Sequence, residues 1–263
     1  MADLTKLPPA LSRRQALTAL GLIATLPSAA RAAEWLHDPV VFYADNALRP
    51  VLERLGARYQ TEHGVLWRVY AAAPRNSLGL LATGTQDDIL ITLTNEAAQA
   101  EARGLIAPGR LPLWRNTLVF AALGAAQPAA EFTPQALLAA LSGGKLAVTD
   151  PTPSATFNGL AVLDRAGLGG LLRGHVQGAI NTEQAAGMLH TGDATVALLH
   201  ASEAATLPGL RTLMAVPPSA YDPITYDVAL TKSAWSRNQD RVITFLRALP
   251  ADTLAGLGLE PIA

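Results

Sequence analysis

Short apolar runs alternate with stretches whose apolar residues recur every three or four positions, and this pattern fills the chain from Pro39 onward. Pro39–Ala44 (PVVFYA) has the length and unbroken apolar character of a buried strand. Asn46–Gly64 follows, with Leu48, Val51, Leu52, Leu55 and Tyr59 on one helical face. Pro50 fits only the first turn of that helix, because its ring removes a backbone donor and clashes with a preceding turn. Val65–Ala72 predicts a second strand, Asn76–Gly84 a short helix, Asp87–Thr92 a third strand and Asn95–Ile106 a helix stopped by Gly104.

The pattern then starts again. Asn116–Leu123, Lys145–Asp150, Thr195–His200 and Ile224–Thr231 predict strands. Between and after them, Thr133–Ser142, Thr156–Leu168, Thr182–Gly192 and Arg237–Leu249 predict helices. Thr133 and Thr182 are candidate N-caps, and Pro134 suits the first helical position. Strands alternating with helices imply an α/β fold with mixed, mostly parallel sheets, arranged as two Rossmann-like lobes of about 100 residues each.

Composition narrows the function. Half of the 263 residues are hydrophobic, enough for a sizeable core. The net charge of −1 lacks the basic footprint of a nucleic-acid binder, so no nucleic-acid partner is expected. With no cysteine, disulfides, thiol catalysis and cysteine metal sites are excluded. The N-terminus stands apart. Arg13 and Arg14 precede an apolar stretch, Ala16–Leu26, that is too short to span a bilayer, which takes about 20 residues. Ala30-Arg31-Ala32 then offers small residues at the −3 and −1 positions of a cleavage site. Residues 1–32 therefore read as a secretory signal peptide of the twin-arginine type, cleaved to leave a periplasmic protein.

In open α/β sheets a ligand sits beyond the carboxyl ends of the strands, where helix N-termini point. Asp45 and Asn46 follow the first strand, and Arg75, Asn76 and Ser77 the second. Thr152, Ser154 and Thr156 follow Asp150-Pro151 in DPTPSATFNGLAVL, Asn181 and Thr182 precede a helix, and His200 ends a strand just before Ser202. The set suits a small polar solute, and the same residue types also serve as ordinary caps and turns. No Gly-x-Ser-x-Gly elbow, HExxH or P-loop is present, and Ser154 has no partner at a recognisable spacing, so catalysis is not expected. His200 is a candidate metal ligand with Asp45, Glu203 or Asp227, or else a neutral hydrogen-bonding group. No cofactor is implied.

Seven segments, in order, resemble the periplasmic molybdate-binding proteins, the solute-binding components of ABC importers with the type II periplasmic binding fold. They are PVVFYADNALRPVLERLGARYQTEHGV, LLATGTQDDILIT, AEARGLIAPG, RNTLVFAAL, KLAVTDPTPSATFNGLAVLDRAGL, MLHTGDATVALLHASEA and PITYDVALTKSA. The resemblance implies lobe one at 33–113 plus 226–263 and lobe two at 114–225, with a hinge near Trp114–Thr117 and Ile224–Val228. It also implies a monomer that closes on an oxyanion ligand and docks on a membrane permease, with Asp88 at the family's aspartate. The family holds its oxyanion with two serine hydroxyls, backbone N–H groups and a tyrosine hydroxyl. Here the first serine falls on Ala47, beside Asn46, and the second near Pro74, within a residue of Arg75 or Asn76. The tyrosine falls on His200. Thr156 and Thr182 fall at or near the backbone donors. The resemblance therefore implies a retained fold around an altered ligand shell: Asp45 opposes a dianion, Arg75 favours one, and His200 suits either sign. A periplasmic sensor or accessory protein, or a metal-cation binder that has lost molybdate, are the alternative readings.

Overall fold

The computed structural model describes residues 38–72, 74–84, 88–124, 132–150 and 157–262, without the side chains of 74–77. The leader, Thr152, Ser154 and Thr156 lie outside the described residues, as do the side chains of Arg75 and Asn76.

The first sheet has the order β11-β4-β10-β3-β1-β2. It comprises β1 (Val40–Asp45), β2 (Trp67–Ala72), β3 (Ile89–Leu93), β4 (Leu111–Asn116), β10 (Ile224–Leu230) and β11 (Leu259–Pro261). The second has the order β7-β6-β8-β5-β9. It comprises β5 (Leu118–Leu123), β6 (Leu146–Thr149), β7 (Val176–Ala179), β8 (Val196–His200) and β9 (Leu210–Ala215). The chain crosses from the first sheet to the second at Thr117 and returns between Ala215 and Ile224. In the first sheet β1 pairs parallel with β2 and β3, and β10 and β4 add antiparallel neighbours. In the second, β6 pairs parallel with β7 and β8, and β5 runs antiparallel to β8 and β9. The parallel pairs are those joined by helices, since a parallel neighbour requires a crossover.

Helices cover the sheets as the apolar spacing requires. A 3-10 turn at Asn46–Leu48 leads into α1 (Arg49–His63), which buries Val51, Leu52, Leu55 and Tyr59 and ends at Gly64 with φ +73°. Gly56 lies in mid-helix because a Cβ there would sit 1.2 Å from the Trp67 indole nitrogen. That indole packs edge-on to Phe42 and stacks on Tyr59. The remaining helices are α2 (Pro74–Ala82), α3 (Thr94–Ala102), α4 (Pro134–Leu141), α5 (Gly159–Arg165), α6 (Gly169–Leu172), α7 (Thr182–Thr191), α8 (Ala201–Thr206), α9 (Gln239–Arg247) and α10 (Ala251–Gly256).

Several boundaries differ from the sequence expectation. Thr133 does cap α4, accepting from the Ala136 N–H at 3.1 Å. The cap of α7 is Asn181 rather than Thr182: the Asn181 side chain accepts from the Gln184 N–H at 2.8 Å. The helix expected from Thr156 starts at Gly159 with Asn158 as its cap. Asn116 ends a strand of the first sheet instead of opening one in the second, and β4, β7, β9 and β11 were not expected.

Asp88 ties this first sheet together. Its Oδ2 accepts from the Val41 N–H at 2.9 Å, and its Oδ1 from the N–H groups of Trp235 and Ser236, both at 2.8 Å. One buried carboxylate thus satisfies three backbone donors from segments far apart in the chain.

Candidate functional site

Strand ends bring the polar residues together. The last residues of β1 (Asp45), β4 (Asn116) and β8 (His200) are all buried, and Tyr226 of β10 lies fully buried beside them. Helix starts supply the rest: Glu96 from α3, Thr182 from α7, and Ser202 and Glu203 from α8. Both sheets therefore contribute to one buried polar cluster.

Its bonding is directional. Asp45 Oδ1 accepts from the Ala47 N–H at 2.8 Å and so caps the turn that opens α1. Across the cluster, Glu203 Oε1 accepts from the Thr182 hydroxyl at 2.6 Å, and its Oε2 from the His200 backbone N–H at 3.1 Å. His200 Nδ1 lies 2.9 Å from the same Oε2. A carboxylate there fixes the ring with Nδ1 as donor, leaving Nε2 to carry the lone pair of the neutral imidazole. Phe157 packs edge-on against that ring at 5.2 Å. Ser202 joins the two sheets: its hydroxyl donates to the Ala47 carbonyl at 3.1 Å and accepts from Asn116 Nδ2 at 2.8 Å. A second link runs from the Arg54 guanidinium to the Thr206 carbonyl at 3.2 Å.

Several buried polar atoms of the cluster have no hydrogen-bond partner among the described residues: Asp45 Oδ2, Asn46 Oδ1, Glu96 Oε2, His200 Nε2 and Tyr226 Oη. Burial raises the Asp45 carboxyl to about 6. His200 and the Ala47 N–H pull it back, while Glu203 and Glu96 push it further up. Burial also holds the Tyr226 phenol well above its ordinary value, with the nearby Asp45 and Glu203 carboxylates adding to the effect and the neighbouring Asn116 side chain opposing it.

A cavity of about 560 Å³ adjoins this cluster between α3 and α5, lined by Thr94, Asn95, Arg110, Phe157, Asn158 and Tyr221 among others. Phe157 borders both the cavity and the His200 ring. Arg110 is held by Asp227 and by Glu101.

Of the residues singled out from sequence, the structure brings Asp45, Asn46, Ala47, Thr182 and His200 to this place. Ala47 contributes backbone only. Asp227, one of the expected partners for a metal at His200, is instead bonded to Arg110 and Thr94. Among the described residues no group of His, Cys, Asp and Glu side chains is placed to hold a metal ion. Asn116, Tyr226 and Glu96 escaped the sequence reading. Each sits in a run that reads as ordinary strand or helix, and only the strand order brings them beside Asp45. Glu203 did carry a signal, three residues past the strand end where a capping acid belongs.

Residues 40–253 match the family described as bacterial extracellular solute-binding proteins. Among solved structures, the periplasmic molybdate-binding protein of Azotobacter vinelandii superposes with a TM-score of 0.69 at 19% identity, over 85% of this chain and 100% of the other. The substrate-binding domain of a putative molybdenum ABC transporter from Clostridium difficile gives 0.64 at 16% identity, over 86% and 99%. A sulfate-binding protein from Mycobacterium tuberculosis gives 0.61 at 12% identity, over 86% and 88%. A search by sequence among curated proteins returned no match. At these identities the solved structures speak to the fold, which is the type II periplasmic binding fold.

Proposed function

Because the chain belongs to the family of bacterial extracellular solute-binding proteins, we propose that it is the solute receptor of a molybdate-type ABC importer and captures a small solute between its two lobes. In this reading residues 33–113 with 226–263 form lobe one and 114–225 form lobe two. Residues 1–32 direct export to the periplasm through the twin-arginine route. The monomer closes on its solute and is then recognised by a membrane permease. Among the described residues no helix is long and apolar enough to cross a membrane.

The observation that carries the reading is the buried polar cluster built by both sheets, in which Asp45 Oδ2, Glu96 Oε2 and His200 Nε2 have no partner among the described residues. A polar atom buried without a partner costs about 1–3 kcal/mol, and several in one place favour a fold that gains a ligand there. Thr182, Arg75, Asn76 and Thr156 complete the proposed ligand set. Thr182 acts through the hydroxyl it donates to Glu203.

The test is a thermal-shift screen of the protein beginning at Ala33, against molybdate, tungstate, sulfate, phosphate, small carboxylates, amines and sugars. A solute at a hundredfold excess over its Kd stabilises the folded state by about 2.7 kcal/mol, a shift of several degrees. His200→Ala should then weaken the binding of whichever solute responds by about tenfold or more. Unchanged affinity in that variant would remove the cluster from the site.

A further inference from the structure

The side-chain atoms of the cluster that have no partner among the described residues are acceptors, except Tyr226 Oη, a hydroxyl that can donate or accept. Asp45 Oδ2 and Glu96 Oε2 are carboxylate oxygens, and His200 Nε2 is a lone-pair nitrogen while Nδ1–H faces Glu203. These three acceptors come from three separate elements, β1, α3 and β8. One backbone donor of the cluster, the Ala47 N–H, is already taken by the protein's own carboxylate, Asp45 Oδ1. That N–H, at the start of a helical turn, is where an anion would otherwise be favoured. Among the described residues, the ionisable groups that act on Asp45 are His200, Glu203 and Glu96, with no lysine or arginine among them.

Resting on the solute-binding reading above, we infer that the cleft selects an organic cation carrying N–H donors, an ammonium, amidinium or guanidinium group, over an oxyanion. Such a group gives each carboxylate a charge-assisted hydrogen bond, whereas a dianion would meet the carboxylates of Asp45, Glu96 and Glu203. A bare metal ion fits less well. It requires its ligands within about 2.0–2.6 Å of one point. Among the described residues no such grouping exists, whereas an amine or guanidine of several ångströms reaches separated acceptors.

The choice has a pH signature. The groups that face Asp45 are Glu96 from α3, His200 from β8, Glu203 from α8 and Tyr226 from β10. With its carboxyl raised to about 6, Asp45 gains its charge as pH rises through that value, so capture of a cation strengthens. Capture of an oxyanion follows the opposite course, since neutral Asp45 favours it.

Calorimetric titration of the protein beginning at Ala33 tests this with putrescine, agmatine and benzamidine against molybdate, sulfate, phosphate and glucose, at about pH 5 and about pH 7.5. The expected result is binding of at least one of the three cationic probes, about tenfold tighter at the higher pH. Asp45→Asn, which keeps an acceptor for the Ala47 N–H, should weaken that probe by about tenfold or more. Thermal melting of the variant checks that it folds. Binding of an anion or glucose without any cationic probe would overturn the inference and leave the solute-binding reading standing. A cation whose affinity ignores both pH and Asp45→Asn would overturn it too. Binding of no probe would overturn both.

Discussion

Asp88 and Asp45 make an instructive pair. Both carboxylates are wholly buried, one just before β3 and one at the end of β1, in the same sheet. Asp88 accepts from three backbone N–H groups spread over both of its oxygens. Asp45 accepts from one, and its other oxygen has no partner among the described residues. Similar burial thus serves two ends. A carboxylate whose lone pairs are engaged by backbone fixes the path of the chain, while one left half-engaged carries an electrostatic cost that a donor, a cation or a proton relieves.

The largest effect should come from breaking the first of the pair. Asp88→Ala orphans three backbone N–H groups, two of them buried, and should cost on the order of 4 kcal/mol, read as a lowered midpoint in urea denaturation. Asp88→Asn keeps one acceptor oxygen and should lose less. Asp45→Asn should act in the other direction. Moving a carboxyl from 3.8 to about 6 corresponds to about 3 kcal/mol against its ionised form. The folded state then holds the Asp45 proton more tightly than the unfolded chain, so this group costs stability as pH rises from about 4 to about 6. Asp45→Asn should therefore match the parent near pH 4 and exceed it by up to about 3 kcal/mol above pH 6, in denaturation curves taken across that range. A variant that loses stability at neutral pH would place Asp45 with Asp88 as a structural residue. The smallest effect separates two neighbours. Asn181→Ala removes the α7 cap and should cost about 1 kcal/mol without altering solute affinity. Thr182→Val leaves the cap and removes the hydroxyl that holds Glu203, so it should act on affinity first.

Much of this was legible from sequence. The spacing of Val51, Leu52, Leu55 and Tyr59 marks α1 because one face must be apolar, and the run VALLH marks β8 because both of its faces are covered. The strands that escaped lack such a pattern for physical reasons. β7, β9 and β11 are edge strands, where exposed positions interrupt the apolar run. β4 contains Pro112 and faces a bulge at Tyr226/Asp227, both of which disguise a strand. Asp45, Asn46 and His200 could be singled out because strand ends are where ligands sit in such sheets, and Ala47 only because the resemblance places a family serine there. Asn116 and Tyr226 were not, because their approach to Asp45 depends on β10 lying between β3 and β4, a pairing that no local window contains.

That insertion of β10 sets an order on folding. β1, β2 and β3 can pair as they are synthesised, yet β4 has no neighbour in the first sheet until residues 224–230 arrive to lie between it and β3. About a hundred residues of the second sheet separate the two halves of the first, so closing it carries the entropy of a long loop. The second sheet, whose strands all fall between Leu118 and Ala215, carries no such debt and can form first. A ribosome-bound chain halted before Ile224 would hold that finished sheet beside a half-built one, with the edge of β3 open to unwanted pairing.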